Sequence, residues 1–404
     1  MSVPQPKPFT YTNLQAIFQY LEPNLKITLA QKIPSLQNVE KSTLFRMHLL
    51  SIEPYETQLE STPYTLEVIR FDPVERRIKP FLESNSGRSK EFKVRWDVDG
   101  QGRPISAAPA TPGDIEFDME EGTKIEEHQH LGKRKRQAPC EYFLKFTSGK
   151  EVVEYMKYDN NFHTAIKYMN EKLLGNRGPV TVGSLSVTGG KFLRLPENLK
   201  FKIERLEVYS MRNQMALIFE LIERSSFTLE QIATDGIGLE DHTFLGLALR
   251  VKVMDCIEGN PEDIINLGNP PLPFDNFASE HLLSEEQFRV VLRDWKAGNR
   301  RVGTHFQFES MRMENEIKWF EFFKNQVELG AVLGTIPNIK PNATYPHCVI
   351  FPINDAKEII VYYSVNFWFE DEDYEIEEDE DDGVEIFNLE MKVMAKGYAT
   401  PVQR

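Results

Sequence analysis

The chain has 404 residues, of which 41% are apolar, 27% charged and 11% aromatic; this length suits two or three folded domains and excludes a collagen-like, coiled-coil or wholly disordered protein. Lys plus Arg (47) against Asp plus Glu (62) leaves a formal charge of −15, which argues against a general electrostatic grip on nucleic acid or anionic lipid. Eleven of the acids lie in residues 370–382, which hold no base, so the rest of the chain carries only −4.

From Tyr11 to Ser42 the apolar pattern is helical three times over. Leu14, Ile17, Phe18 and Leu21 share one helix face, with Thr12 as the expected N-cap. Pro23 and Pro34 each restart the pattern, because proline is tolerated in the first turn of a helix and not in its interior. The period then falls towards two. Phe45, Met47 and Leu49 alternate with Arg46 and His48, and Tyr64, Leu66 and Val68 alternate with Thr65 and Glu67, as in half-buried strands bounded by Pro54 and Pro63. Residues 97–139 hold four prolines, five glycines and one aromatic and read as a flexible insertion.

Tyr142, Leu144 and Phe146 predict another strand. A helix follows with Asn160 or Asn161 as cap, Phe162, Ile166, Met169 and Leu173 on one face, and Gly175 as its stop. Next, Val182-Gly-Ser-Leu185-Ser-Val187 is echoed by Ile203-Glu-Arg-Leu206-Glu-Val208 and by Leu229-Glu-Gln-Ile232. The spacings of the central residues fall in the range of leucine-rich repeats. Met215, Ile218, Phe219 and Ile222 make a helical stripe between the last two copies. The usual Asn/Cys position of that repeat is missing, so both a repeat-like sheet and another mixed sheet fit. Ser284-Glu-Glu-Gln287 has the form of a capping box and opens a helix with Phe288, Val291, Leu292 and Trp295 on one face, ended by Gly298. Val302, Thr304, Phe306 and Phe308 predict a strand; Ile317, Phe320, Phe323 and Val327 predict a helix; residues 349–353, 358–369 and 385–396 predict three strands.

None of the usual catalytic constellations is complete. Gly236-Ile-Gly238 lacks the third glycine of a dinucleotide fingerprint, and the phosphate-loop, nucleophile-elbow and HExxH patterns are missing. Glu126-Glu-His128-Gln-His130 has no further ligand in view and reads as a solvated loop. The expectation is a protein that is not an enzyme and needs no cofactor and no metal. Lys133, Arg134, Lys135 and Arg136 form the kind of exposed basic run that serves as a nuclear-import address or simply solubilises a loop. The acidic run 370–382 reads as a repelling surface loop, or as a binder of basic proteins. Cys140, Cys256 and Cys348 form no CxxC pair, which points to a reducing compartment. The proline-containing N-terminus has no apolar core of a signal sequence, and no stretch of about 18 apolar residues spans a bilayer. A cytoplasmic or nuclear location is expected.

Several fixed words carry a family resemblance. Tyr11-Thr-Asn-Leu-Gln-Ala-Ile17, Tyr20-Leu-Glu-Pro-Asn24, Ile33-Pro-Ser-Leu36, the segment His163–Arg177 and Leu193-Arg-Leu-Pro-Glu-Asn-Leu-Lys-Phe201 resemble the nematode F-box C family. Leu283-Ser-Glu-Glu-Gln-Phe288, Leu292-Arg-Asp-Trp-Lys296 and Gly303-Thr-His-Phe306 resemble the F-box-associated region. The resemblance implies a substrate-recognition subunit of an SCF-type ubiquitin ligase. Leu14, Ile17, Leu21, Pro23 and Leu25 would then bind the Skp-type adaptor, and the larger domain an unknown target protein, with no nucleic acid and no membrane among its partners. Two departures are visible: Thr12-Asn13-Leu14 stands where the family has Leu-Pro, and no tryptophan lies near Lys41–Phe45. The alternatives are a protein-binding domain without adaptor docking, or an acidic nuclear factor that binds basic proteins.

The expected fold is α+β: an F-box-like helical unit at 10–45, an α+β domain from 46–96 and 140–175 around the insertion 97–139, and a leucine-rich-repeat-like or other mixed sheet with helices over 176–404, interrupted by the acidic loop 370–382.

Overall fold

The computed structural model describes residues 10–72, 77–79, 109–117, 141–149, 151–158, 162–209, 214–234, 247–253, 276–279, 284–297, 300–310, 313–336, 348–367 and 385–402. The architecture is α+β, a mixed sheet with helices, and divides into two compact units, Met1–Phe227 and Thr228–Arg404.

The first unit opens with helices α1 (Tyr11–Tyr20), α2 (Pro23–Lys32) and α3 (Gln37–Ser42). Thr10, not Thr12, caps α1 by accepting from the Asn13 amide at 3.3 Å. Glu22 caps α2, with Pro23 in its first turn, and Pro34 opens the short 3-10 turn before α3. Strands β1 (Arg46–Ile52), β2 (Glu56–Leu59), β3 (Thr62–Asp72) and β4 (Arg77–Lys79) follow. β2 was not expected, and Pro63 lies within β3 rather than between strands. β5 (Ile115–Glu116), β6 (Glu141–Ser148), β7 (Glu151–Lys157), helix α4 (Phe162–Leu174), β8 (Val180–Thr188), β9 (Phe192–Leu193), β10 (Phe201–Tyr209) and the short α5 (Met215–Phe219) complete the unit. Its main sheet runs β10-β8-β1-β2-β3-β6-β7. The first three strands are parallel and the rest antiparallel.

The three parallel strands share one burial pattern. Met47 pairs with Val182 and Val182 with Ile203, then Leu50 with Leu185 and Leu206, then Ile52 with Val187 and Val208, and all of these are buried. Between the inward residues at positions 47 and 50 stand two residues that do not point into the core, so simple alternation slips by one. β1 therefore buries Leu50, while Leu49, expected inside, is half-buried. A one-residue slip turns the other face of a strand to the core, and the repeat spacing of the sequence places it at the same level in every strand. Glu60, at φ 54°, holds the slip in β1: its carboxylate accepts from the His48 amide at 2.7 Å and the Leu49 amide at 3.2 Å.

Two boundaries differ from the expected ones. The units divide after Phe227, not near 175, because β8 lies directly against β1 and so belongs to the sheet that residues 46–52 begin. Within the stretch read as a flexible insertion, residues 109–117 are folded: Ile115 pairs with Leu193 and Glu116 with Phe192.

The second unit begins with four parallel strands, β11 (Leu229–Thr234), β12 (Ala248–Val253), β13 (Asn276–Ser279) and β14 (His305–Ser310). The sheet continues antiparallel through β18 (Glu385–Ala395), β17 (Lys357–Phe367), β16 (Cys348–Pro352), β15 (Val332–Thr335) and β19 (Thr400–Pro401). Helices α6 (Glu285–Ala297) and α7 (Met313–Lys324) supply an aromatic core. Phe288 lies 5.0 Å from Phe308 and 4.9 Å from Trp319, and Trp295 lies 4.8 Å from Phe306, all edge to face, the favoured arrangement of aromatic quadrupoles. The capping box of α6 is reciprocal: the Gln287 amide donates to Ser284 Oγ at 3.3 Å, and the Ser284 amide donates to Gln287 Oε1 at 2.7 Å. Val327, expected on the apolar face of α7, lies beyond the end of that helix and is exposed.

Candidate functional site

Each N-terminal helix has an inner and an outer face. Phe18, Ile27, Ala30 and Val39 are buried. Of the residues that the resemblance assigns to adaptor binding, Ile17 (43% exposed) and Leu25 (44%) face outward, Leu14 and Leu21 are half-buried, and Pro23 is buried. Pro23 is thus a packing residue in the first turn of α2 and not part of the outer surface, because its ring is covered by the chain itself. Tyr20 (87% exposed), Tyr11, Ile33 and Leu44 join the outer set. Tyr20 follows Ile17 by three residues, a spacing that shares a helix face, which is the one sequence signal that could have found it. Six of the fifteen large exposed apolar residues among those described fall within residues 11–44, so apolar exposure is concentrated on this element. Grouped exposed apolar surface marks sites of protein interaction.

The inner face is fastened by polar groups that no periodicity announces. Lys26 is buried, and its Nζ donates to the Leu44 carbonyl at 3.0 Å. Glu40, also buried, pairs with Arg177, whose Nε donates to the Leu173 carbonyl at 3.2 Å and whose guanidinium lies 4.1 Å from the centre of the Phe45 ring. Burial lowers the Lys26 pKa; Glu40 offsets part of that and Arg177 adds to it. Asn24 donates to the Leu59 carbonyl at 3.0 Å and accepts from the Tyr64 hydroxyl at 2.9 Å. The helices are therefore held by directed bonds to β2, β3, Leu44 and Arg177, which fixes the outer face in position.

A second polar cluster lies in the second unit, where β14, β18 and β17 are neighbours. Glu390 meets His305 Nε2 and accepts from Ser364 Oγ at 2.8 Å, with Lys392 Nζ at 3.4 Å. Lys392 also donates to the Tyr362 hydroxyl at 2.6 Å. Burial alone would raise the Glu390 pKa; the bond from His305, the charge of Lys392 and the bond from Ser364 hold it below the usual carboxylate range. Ser364 donates to the carboxylate and not to the imidazole, so the hydroxyl-to-imidazole contact of a serine–histidine pair is not the one made here.

Among the described residues no group of three or more His, Cys, Asp or Glu could hold a metal ion, and no helix is long and apolar enough to cross a membrane. The basic run Lys133–Arg136, the pair His128 and His130, Gly236–Gly238 and the acidic run 370–382 lie outside the described residues.

A family model described as a domain of unknown function, DUF3557, matches residues 161–312, or 152 of the 404 residues. This segment runs from α4 to the end of β14 and contains the repeat strands β8, β10 and β11 as well as β12 and β13. No curated protein and no solved structure matches the chain.

Proposed function

We propose that this protein is the non-catalytic substrate-recognition subunit of an SCF-type ubiquitin ligase, located in the cytoplasm or nucleus. Its N-terminal helices dock on a Skp-type adaptor, and its larger sheet-bearing part holds the target protein. The observation that carries the reading is the concentration of exposed apolar side chains on α1 and α2, above all Ile17, Tyr20 and Leu25, on helices whose inner face is fastened by Lys26, Glu40 and Arg177. An adaptor groove that buries about 800 Å² per side needs such a surface. Five of the words behind the resemblance, His163–Arg177, Leu193–Phe201, Leu283–Phe288, Leu292–Lys296 and Gly303–Phe306, fall inside the segment that matches the domain of unknown function.

The test is capture of the purified full-length chain on immobilised Skp-type adaptor. Wild type should be retained, and Ile17→Asp and Leu25→Asp should each lose retention, because a carboxylate forced into an apolar groove costs several kcal/mol. Both positions are exposed, so circular dichroism and melting temperature should match wild type. Failure of the wild-type chain to bind would reduce α1–α3 to a cap on the unit behind them.

A further inference from the structure

Residues 109–117, Pro-Ala-Thr-Pro-Gly-Asp-Ile-Glu-Phe, hold themselves and their neighbours by features packed into nine positions. Thr111-Pro-Gly-Asp114 is a turn in which the Asp114 amide donates to the Thr111 carbonyl at 2.9 Å and Gly113 has φ +90°. A positive φ at the third place is what a type II turn requires, and Pro is favoured at its second place. Asp114 Oδ2 closes the turn by accepting from the Thr111 amide at 2.8 Å and the Thr111 hydroxyl at 2.6 Å. A Cβ on Gly113 would lie 2.7 Å from the backbone at Pro196 and Glu197, so the turn rests directly on that segment.

The contacts that leave the turn converge on one small surface. The Asp114 side chain is fully buried and pairs with Arg194 Nη1 at 2.8 Å and Lys167 Nζ at 3.1 Å. Arg194 also donates to the Pro109 carbonyl at 2.9 Å, and Lys167 to the Pro112 carbonyl. Beyond the turn the chain runs as a strand: Ile115 and Glu116 pair with Leu193 and Phe192, and the Phe117 amide donates to the Lys191 carbonyl at 3.0 Å. Ile115 and Phe117 are buried.

The receiving surface is set by bonds that do not involve the segment. Thr57 donates to Asn170 Oδ1 at 2.6 Å, and Asn170 Nδ2 donates to the Arg194 carbonyl at 2.8 Å, all of it buried. The guanidinium of Arg194 lies 4.3 Å from the centre of the Phe192 ring. Strand addition, one buried charged anchor and two apolar side chains on a prearranged receptor are the elements of peptide recognition by an added strand.

We propose that the groove between α4 and residues 191–197 is a peptide-recognition site for a partner segment that makes a turn and then runs as a strand, with the chemistry Thr-Pro-Gly-Asp-aliphatic-x-aromatic. Residues 109–117 are its resident occupant, which such a partner displaces. The site does not depend on adaptor docking.

The test uses the full-length chain and the labelled nonapeptide Pro-Ala-Thr-Pro-Gly-Asp-Ile-Glu-Phe, read by fluorescence anisotropy. Asp114→Ala weakens the resident segment and should raise affinity for the added peptide at least about tenfold over wild type; a peptide with Asn in place of Asp should bind the same variant at least about tenfold less tightly. A folded Asp114→Ala chain that ignores the peptide overturns the proposal. Should that variant not fold, hydrogen exchange on wild type decides. The amides of Thr111, Asp114 and Phe117 should exchange by a local opening, faster than those of β8 and β10. Equal protection of both sets would make the segment a fixed part of the fold and overturn the site. The adaptor is absent from every arm, so failure here leaves the docking proposal untouched.

Discussion

Glu40 pairs with the buried Arg177 side chain, and its charge also offsets part of what burial costs Lys26. Removing one partner of a buried ionic group costs far more than its exposed equivalent, about 3–5 kcal/mol. Glu40→Gln should show a loss of that order in urea unfolding, whereas Lys41→Gln next to it should be near neutral. Asp114 bears on pH. Burial alone would raise its pKa, yet the bonds from Thr111, Arg194 and Lys167 more than offset this and leave it below the ordinary 3.8. The unfolded chain therefore binds that proton more readily than the folded one. The stability that Asp114 contributes is present above the ordinary value and lost as pH falls through the depressed one. In acid titrations, the gap between wild type and Asp114→Asn should close below about pH 4. Cys348 is buried, which pushes its thiol up to about 12. Since only the thiolate reacts, alkylation of Cys348 at pH 8.5, followed by peptide mass spectrometry, should be at least about a hundredfold slower in native protein than in urea.

At the scale of elements, the slip shared by β1, β8 and β10 decides which residues form the core. Simple alternation in β1 would place Leu49 inside and Leu50 outside; the structure buries Leu50 and leaves Leu49 half-buried. Leu50→Ala should cost about 2–5 kcal/mol as a buried cavity, and Leu49→Ala clearly less, both read from denaturant midpoints at constant slope. At the level of the slip, β8 presents a glycine to β1. A Cβ at Gly183 would stand 2.9 Å from the His48 carbonyl oxygen, so Gly183→Ala should destabilise by about 1–3 kcal/mol through forced separation of the two strands.

For the whole molecule, the segment matching the domain of unknown function is not a self-contained piece of either unit. At its start it leaves β1 behind, the parallel neighbour of β8; at its end it stops before β18, the antiparallel neighbour of β14. Each cut would expose a long unpaired strand edge, a template for association. Residues 161–312 expressed alone should therefore aggregate or give the poorly dispersed amide spectrum of an unfolded chain, while the full-length protein stays folded. The unit boundary after Phe227 has the same origin, because β8 and β10 belong with strands more than a hundred residues earlier.

What the sequence by itself determined was local. The three short helices, the turns at Pro23 and Pro34, the capping box at Ser284 and the apolar stripe of α4 depend on residues within a turn or two of one another, and the structure reproduces them. The repeat of Val182–Val187 at Ile203–Val208 was legible because identical spacing put the two strands in register. Only the tertiary structure decided the rest. Pro23 is buried and Tyr20 exposed because of what packs on one side of α1 and α2; Lys26 is held inside by the Leu44 carbonyl, and Glu40 by Arg177, 137 positions away. Residues 109–117 carry a legible Thr-Pro-Gly-Asp turn, yet their place beside α4 depends on Arg194, 80 positions beyond Asp114. Charge burial and strand addition are settled by partners far away along the chain, and periodicity is blind to partners at that distance.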